Sequence, residues 1–115
     1  MNQGDIILIP FPFAEMTRTK VRPAVVIAET DDKYQDLIIS AISSVIPEIL
    51  SARDIELKPD HINNLRASSV IKTDRIVTLR RELKIADLGR LSPGQLNQFR
   101  GILFEIIGQS VSRRG

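Results

Sequence analysis

The chain has 115 residues, of which 43% are apolar and 26% charged, values that are ordinary for one soluble domain. We therefore expect a single domain over residues 1–115. The sequence contains no Cys, which excludes disulfide bonds, thiolate metal sites and cysteine nucleophiles and favours a reducing compartment such as the cytoplasm. No apolar run is long enough to cross a bilayer, and the first residues do not resemble a signal sequence, so we expect no membrane contact.

Charge is distributed unevenly along the chain. Residues 1–60 hold 6 Lys and Arg against 10 Asp and Glu, a net charge of −4, whereas residues 61–115 hold 10 against 4, a net charge of +6. A basic half favours an anionic partner such as RNA, DNA or an acidic peptide. For any single charged residue, a solvated mixed surface is the commoner explanation.

Six or seven short strands are predicted, because apolar and β-branched residues recur in short runs between turn residues. In chain order, the strand-like segments are 5–11, 23–28, 36–43, 53–57, 69–73 and 75–81. Segment 58–65 is predicted to be a turn, and segment 83–91 to be extended or loop. The first three strands are almost continuously apolar, which favours burial on both faces or closure into a barrel.

The end of the chain predicts one amphipathic helix. Ser92 and Gln95 have the spacing of a capping box, Pro93 takes the first helical position, and Gly108 is the expected end. The residues expected to form its apolar stripe are Leu96, Phe99, Leu103, Ile106 and Ile107. The predicted fold is mainly β with a C-terminal helix, as a small, curved, antiparallel β-barrel against which the helix packs.

Most standard catalytic sets are missing from the sequence. It has no Gly-rich phosphate loop and no His, Asp and Glu cluster at metal-ligand spacing. Its single histidine, His61, lies in a predicted turn, and no Gly-x-Ser-x-Gly elbow accompanies it. We therefore expect no metal and no other cofactor.

Cations and hydroxyl groups gather instead at the ends of the predicted strands. They are Arg18, Thr19, Lys20, Arg22, Ser43, Ser44, Lys72, Thr73 and Arg75, with the carboxylate of Asp74 among them. Such groups bind phosphodiester oxygens and stabilise the charge that develops during transfer. Because RNA carries its own nucleophile, a ribonuclease without metal needs only a proton acceptor, a proton donor and a cation. The bland alternative is that these residues are solvated strand caps and strand ends.

The order of these segments resembles the MazF/PemK-type toxin endoribonucleases. The runs GDIILIPFPF (4–13), RPAVVIA (22–28) and LIISAISS (37–44), with a polar loop ending in Lys20, are similar to the N-terminal half of that family. The later runs that resemble it are VIKTDRIVTL (70–79), LGRLS (88–92) and the closing helix. The resemblance thus covers nearly the whole chain.

The resemblance implies roles for individual residues. Arg22 matches the arginine that transfers a proton and stabilises the phosphate, and Ser43 stands at the catalytic threonine whose hydroxyl contacts the scissile phosphate. Asp74 matches an acidic position that binds RNA or acts as a base in some members, and Lys72 stands where some members have a second arginine. The remaining residues expected to bind RNA are Arg18, Thr19, Lys20, Ser44 and Arg75.

The resemblance also implies an SH3-like barrel and a homodimer with RNA lying across its interface. The implied reaction is metal-independent, sequence-preferring cleavage of single-stranded RNA, with messenger RNA as the expected substrate, leaving 2′,3′-cyclic phosphate and 5′-hydroxyl ends. The implied partner is a cognate antitoxin with an acidic, partly disordered tail. Tyr34 is the aromatic residue that could serve as a platform for base stacking.

Two non-enzymatic alternatives remain. A toxin on the same barrel that resembles CcdB would poison DNA gyrase, but such toxins depend on a C-terminal tryptophan, and this chain has no Trp. The second alternative is an RNA-binding barrel without activity. It would be a decayed toxin in which Ser43 marks the lost chemistry. Replacing Arg22 discriminates between them, because an enzyme would lose cleavage and a binding module would only bind more weakly.

Overall fold

The computed structural model describes residues 1–12 and 19–109. Its strands are β1 (Asp5–Pro12), β2 (Thr19–Glu29), β3 (Leu37–Ser43), β4 (Asp54–Leu57), β5 (Ser69–Leu79) and β6 (Ala86–Arg90). A short 3₁₀ helix spans Arg81–Leu83, and α1 spans Pro93–Gly108. Arg18, which we expected to bind RNA, lies outside the described residues.

All six strands belong to one antiparallel sheet in the order β4-β5-β3-β2-β1-β6. The sheet curls into a half-barrel, and β4 and β6 are its two edges. The predicted fold class is therefore confirmed. Segment 83–91, predicted as extended or loop, contains the edge strand β6.

Helix α1 begins as the sequence predicts. The Gln95 backbone N–H donates to Ser92 Oγ at 3.2 Å, and the Ser92 N–H donates to Gln95 Oε1 at 3.0 Å, so both arms of the capping box form. The apolar stripe differs at one position: Ile107 is 76% exposed, whereas Ile102 is buried. Ile106 takes the inward position in the last turn, which leaves Ile107 outside the contact with the sheet. No described helix is long and apolar enough to span a bilayer.

The central strands β1, β2 and β3 are largely buried on both faces, as their near-continuous apolar runs predict. On the helix face, strand residues such as Ile6, Val25 and Ile71 pack against Phe99 and Leu103 of α1. A second cluster lies on the opposite face and consists of Ile7, Ile9, Ala24, Val26, Leu37 and Ile39. Up to the register shift after Val26, the even-numbered residues of β2 thus share the opposite face with the odd-numbered residues of β3.

Strand β5 corrects the prediction of two short strands separated at Asp74. It is one continuous strand with a bulge, because Ser40 pairs with Ile76 whereas the next residue of β3, Ala41, pairs with Lys72. The residues between these partners, 73–75, have no counterpart on β3. The buried Ser40 hydroxyl donates to the Thr73 carbonyl at 2.9 Å and fixes the bulge.

Candidate functional site

The sheet brings Arg22 and Ser43 together on neighbouring strands. Ala24 of β2 pairs with Ala41 of β3, and the same antiparallel register carried two residues further sets Arg22 opposite Ser43. Directly paired residues point to the same face, with Cβ atoms about 4.5–5.5 Å apart. Arg22 and Ser43 therefore form a pair at the end of the opposite face, beside Ile9.

Lys72 lies one strand further along the same face. It pairs with Ala41 of β3 on one side and with Asp54 of β4 on the other, so it is the diagonal neighbour of Ser43, roughly 7–8 Å away between backbones. Its Nζ lies 3.3 Å from Asp54 Oδ1 and 3.4 Å from Oδ2. Lys72 thus lies on the same face as Arg22 and Ser43, with a carboxylate as its partner.

Asp54 is held as a carboxylate by its surroundings. Its side chain is only 4% exposed, and burial alone would raise its pKa. The hydrogen bond from the Ser51 backbone N–H at 2.9 Å, together with Lys72, outweighs burial and lowers the pKa of Asp54 below the ordinary value of 3.8. Lys72 therefore faces a fixed negative charge at neutral pH.

The bulge of β5 separates the predicted site residues within it. Thr73 is fully buried and cannot contact a ligand at the surface, whereas Asp74 and Arg75 are exposed. Asp74 Oδ2 lies 3.7 Å from Arg53 Nη1, and the guanidinium of Arg53 also donates to Gln109 beyond the end of α1. Arg53, which sequence reasoning missed, thus links the predicted acidic residue to the helix.

Ser43 and Ser44 mark the end of β3. Ser43 Oγ accepts a hydrogen bond from the Val45 backbone N–H at 3.1 Å, which leaves its own O–H able to donate. Ser44 is exposed and, with Arg22, lines a pocket of about 490 Å³. The other lining residues are Leu8, Val21, Pro23, Asn64, Leu65, Arg66, Ala67, Ser69 and Leu88.

Arg66 and Asn64 were missed because they follow a turn far from Arg22 in the sequence. The signal for Arg66 was the basic second half of the chain, which indicates an anionic partner but does not select one residue.

The predicted RNA-binding residues Thr19 and Lys20 lie at the start of β2. They pair with Pro12 and Phe11 of β1, and Lys20 is exposed.

Tyr34 does not join this site within the chain. It lies in the turn after β2, 59% exposed, with Lys33 Nζ 5.1 Å from its ring centre. Strand β3 leads from that turn to Ser43 over about 20 Å at roughly 3.3 Å per residue.

His61 is exposed in a turn. Within residues 1–12 and 19–109, no group of three His, Asp or Glu residues is placed to hold a metal ion.

Over residues 2–107, the chain matches the family of PemK-like, MazF-like toxins of type II toxin–antitoxin systems. No curated protein sequence matches the chain. Among solved structures, an endoribonuclease in complex with its cognate antitoxin from Mycobacterial species is 14% identical, with a TM-score of 0.73 over 97% of this chain and 99% of that one.

Two further structures resemble the fold. The Deinococcus radiodurans MazE–MazF structure is 22% identical, with a TM-score of 0.70 over 96% of this chain and 97% of that one. The Mycobacterium tuberculosis toxin MazF-mt6 is 13% identical, with a TM-score of 0.62 over 91% of this chain and 99% of that one. At these identities the structural likeness concerns the fold.

Proposed function

The chain belongs to the PemK-like, MazF-like toxin family of type II toxin–antitoxin systems, and from this premise we propose that it is an endoribonuclease of single-stranded RNA. The proposed reaction uses no metal ion, prefers certain sequences and acts on messenger RNA in the cytoplasm. It leaves a 2′,3′-cyclic phosphate and a free 5′-hydroxyl. The observation that carries the proposal is the register of β2 and β3, which pairs Ala24 with Ala41 and, continued by two residues, sets Arg22 beside Ser43.

The proposed step is an internal transfer at phosphorus. The 2′-oxygen forms a bond to the phosphorus atom while the bond to the 5′-oxygen breaks. The 2′-hydroxyl proton passes to a base, and the leaving 5′-oxygen receives a proton. Negative charge builds on the non-bridging oxygens, and a fixed guanidinium stabilises it without reorganisation.

The two strand-end residues divide this task. Arg22 binds and stabilises the phosphate, and its position on a strand inside the sheet holds it in place. Ser43 donates its O–H to a second phosphate oxygen, since its oxygen already accepts from Val45. Lys72 supplies a further positive charge on the same face, and the neighbouring carboxylate of Asp54 partly neutralises that charge.

We propose that the chain acts as a homodimer and is inhibited by an antitoxin. Two of the structural neighbours were solved with an antitoxin, one described as a cognate antitoxin complex and the other as MazE–MazF. An acidic, disordered tail that folds on binding would occupy the cationic surface around Arg22. Such a tail and RNA would then compete for one site.

The test is incubation of the purified protein with long single-stranded RNA in excess EDTA, with mapping of both product ends. We expect discrete cuts with cyclic phosphate and 5′-hydroxyl ends. Arg22→Ala should reduce cleavage by about 10²–10³-fold, the usual cost of removing one group that stabilises a transition-state charge. Ser43→Ala should also reduce it. Arg80→Ala is the matched control, because Arg80 is exposed and lies next to the end of β5 remote from the bulge.

Other outcomes favour other functions. Intact RNA with a folded protein that still binds RNA would leave a binding module, in which Arg22→Ala only weakens binding. A folded protein that leaves RNA intact, does not bind it and inhibits DNA gyrase would be a CcdB-like poison. Cleavage that stops when EDTA is added would contradict the metal-independent reaction.

A further inference from the structure

The pocket beside Arg22 is bounded by strands on one side and by a loop on the other. Leu8 and Pro23 line it from β1 and β2, where they are register partners. Residues 64–67, between β4 and β5, form the facing wall with Ser69 at the start of β5, and Leu88 of β6 contributes an apolar side chain. Its volume of about 490 Å³ is within the range of roughly 300–1,000 Å³ that binds small organic groups.

The loop wall is preformed. Asn63 is fully buried, and its Oδ1 accepts from the backbone N–H groups of Asp60 at 3.0 Å and Leu65 at 2.9 Å. Its Nδ2 donates to the Lys58 carbonyl at 2.9 Å. Asn64 Nδ2 donates to the Leu88 carbonyl at 2.7 Å and ties the loop to β6. A ligand therefore meets a wall that needs no ordering.

A glycine allows the loop to approach β6 so closely. A Cβ on Gly89 would lie 2.2 Å from the Ile62 carbonyl oxygen, so a side chain at this position would displace the loop. The same carbonyl accepts a hydrogen bond from the Arg90 N–H at 3.1 Å. The pocket thus depends on a backbone contact that only glycine permits.

The chemistry of the pocket combines an apolar lining with positive charge. Leu8, Pro23, Leu65 and Leu88 supply the apolar surface, and two arginines, Arg22 on β2 and the exposed Arg66 on the loop, are among the other lining residues. A ligand that fits both features has a flat, largely apolar body joined to an anionic group. A nucleotide of single-stranded RNA has this construction.

We propose that this pocket receives the nucleobase of a nucleotide next to the phosphate at Arg22, and that Arg66 binds that nucleotide. The proposal rests on the proposed function, because it assumes that RNA reaches Arg22. Bases of single-stranded RNA are splayed out and stack on aromatic rings or on arginine guanidinium planes. None of the described residues that line the pocket is aromatic, so the guanidinium of Arg66 is the stacking group.

The test measures binding apart from cleavage. The probe is a 2′-O-methyl RNA library, which lacks the nucleophilic 2′-hydroxyl, with 4-thiouridine at one position for photo-crosslinking and peptide mapping. We expect crosslinks within residues 64–69. Arg66→Ala should weaken binding about tenfold and reduce the dependence of log affinity on log salt by about 1. Arg80→Ala has the same change of charge at a remote exposed site and should have a much smaller effect.

A second variant fills the pocket without changing charge. Ala67 is exposed and lines the pocket, so Ala67→Leu should leave the unfolding midpoint unchanged, weaken binding and remove the crosslinks within 64–69. In parallel, unmodified RNA is used to map cleavage by the wild type. Ala67→Leu should also alter which bases flank the cut.

The outcomes separate the two proposals. If the wild type cleaves RNA but both variants bind like it and no crosslink falls within residues 64–69, the pocket proposal is wrong and the ribonuclease stands. If the wild type does not cleave but the crosslinks and both binding losses are observed, the pocket stands and the enzyme does not. If the wild type neither binds nor crosslinks the probe, the pocket proposal is overturned as well.

Discussion

The two ends of the β2–β3 hairpin are built in different ways. At the turn end, residues 30–36 satisfy one another: Asp32 accepts hydrogen bonds from Thr30 Oγ1 and from the backbone N–H groups of Tyr34 and Gln35. At the other end, the site end, Arg22 and Ser44 line one pocket together with segments far away in the chain, including residues 64–67. Local sequence determines the turn end, whereas the tertiary fold determines the site end.

This difference explains where function is found on the hairpin. A turn that satisfies its own polar groups leaves little for a ligand to bind. The site end leaves two serine hydroxyls and several cations at the surface of a rigid sheet, which suits an anionic ligand. Three substitutions, ordered by expected effect, test whether the two ends are as independent as this comparison suggests.

The largest effect is expected for Gly89→Ala, which disturbs the scaffold of the site end. The added Cβ would lie 2.2 Å from the Ile62 carbonyl oxygen and 2.8 Å from the carbonyl carbon and oxygen of Asn63. Because backbone must move, we expect a loss of about 3 kcal/mol in the free energy of unfolding. Urea unfolding measures this loss.

The matched control is Gly101→Ala. Nothing lies within 4 Å of the Cβ that this substitution adds in α1, and alanine is the better helix former by about 1 kcal/mol. The control should therefore be stabilised. If Gly89→Ala were as stable as the wild type, the close contact between the loop and β6 would not determine the pocket.

A smaller effect is expected for Asp54→Asn, which leaves Lys72 without its carboxylate partner. We expect a loss of about 1 kcal/mol at neutral pH, since Lys72 remains partly exposed. The folded state lowers the pKa of Asp54 below 3.8, so its contribution to stability is complete above that value and is lost as the pH falls below it.

Urea unfolding of the wild type and Asp54→Asn across that pH range measures the difference. The two stabilities should differ at pH 7 and converge in acid. Asp31→Asn, at an exposed position in the turn, is the control. A difference between the wild type and Asp54→Asn that persists in strong acid would assign the effect to packing and not to charge.

The sequence predicted those features that depend on neighbouring residues. The capping box at Ser92 was found because its partners are three residues apart, and the strands were found from their apolar runs. Arg22 and Ser43 were placed in one site only through a family resemblance, and the register of β2 and β3 then placed them on adjacent strands.

Other parts of the site could not be predicted because they depend on contacts between distant residues. The bulge at 73–75 forms where Ser40 meets the Thr73 carbonyl, a contact across 33 residues of sequence. Arg66 reaches the pocket because Gly89 lets a loop pack on β6. Neither contact leaves a local pattern in the sequence.

The smallest effect is expected for Asp32→Asn at the turn end. Its carboxylate accepts from Thr30 first and also from Gln35 and Tyr34, which lowers its pKa below 3.8. By the same linkage, the wild type should lose stability relative to the variant only as the pH falls below that value. Asparagine keeps an acceptor oxygen and suits such turns, so a slight decrease in the unfolding midpoint at pH 7 is the expected result.

RNA cleavage by Asp32→Asn should equal that of the wild type, because the turn lies about 20 Å from Ser43 along β3. The same measurement on Arg22→Ala should show normal stability and lost cleavage. A substantial loss of cleavage in Asp32→Asn with stability unchanged would mean that the turn end also contacts RNA. Tyr34 and Lys33, exposed in that turn, would then be the residues to replace next, and the two ends of the hairpin would belong to one binding surface.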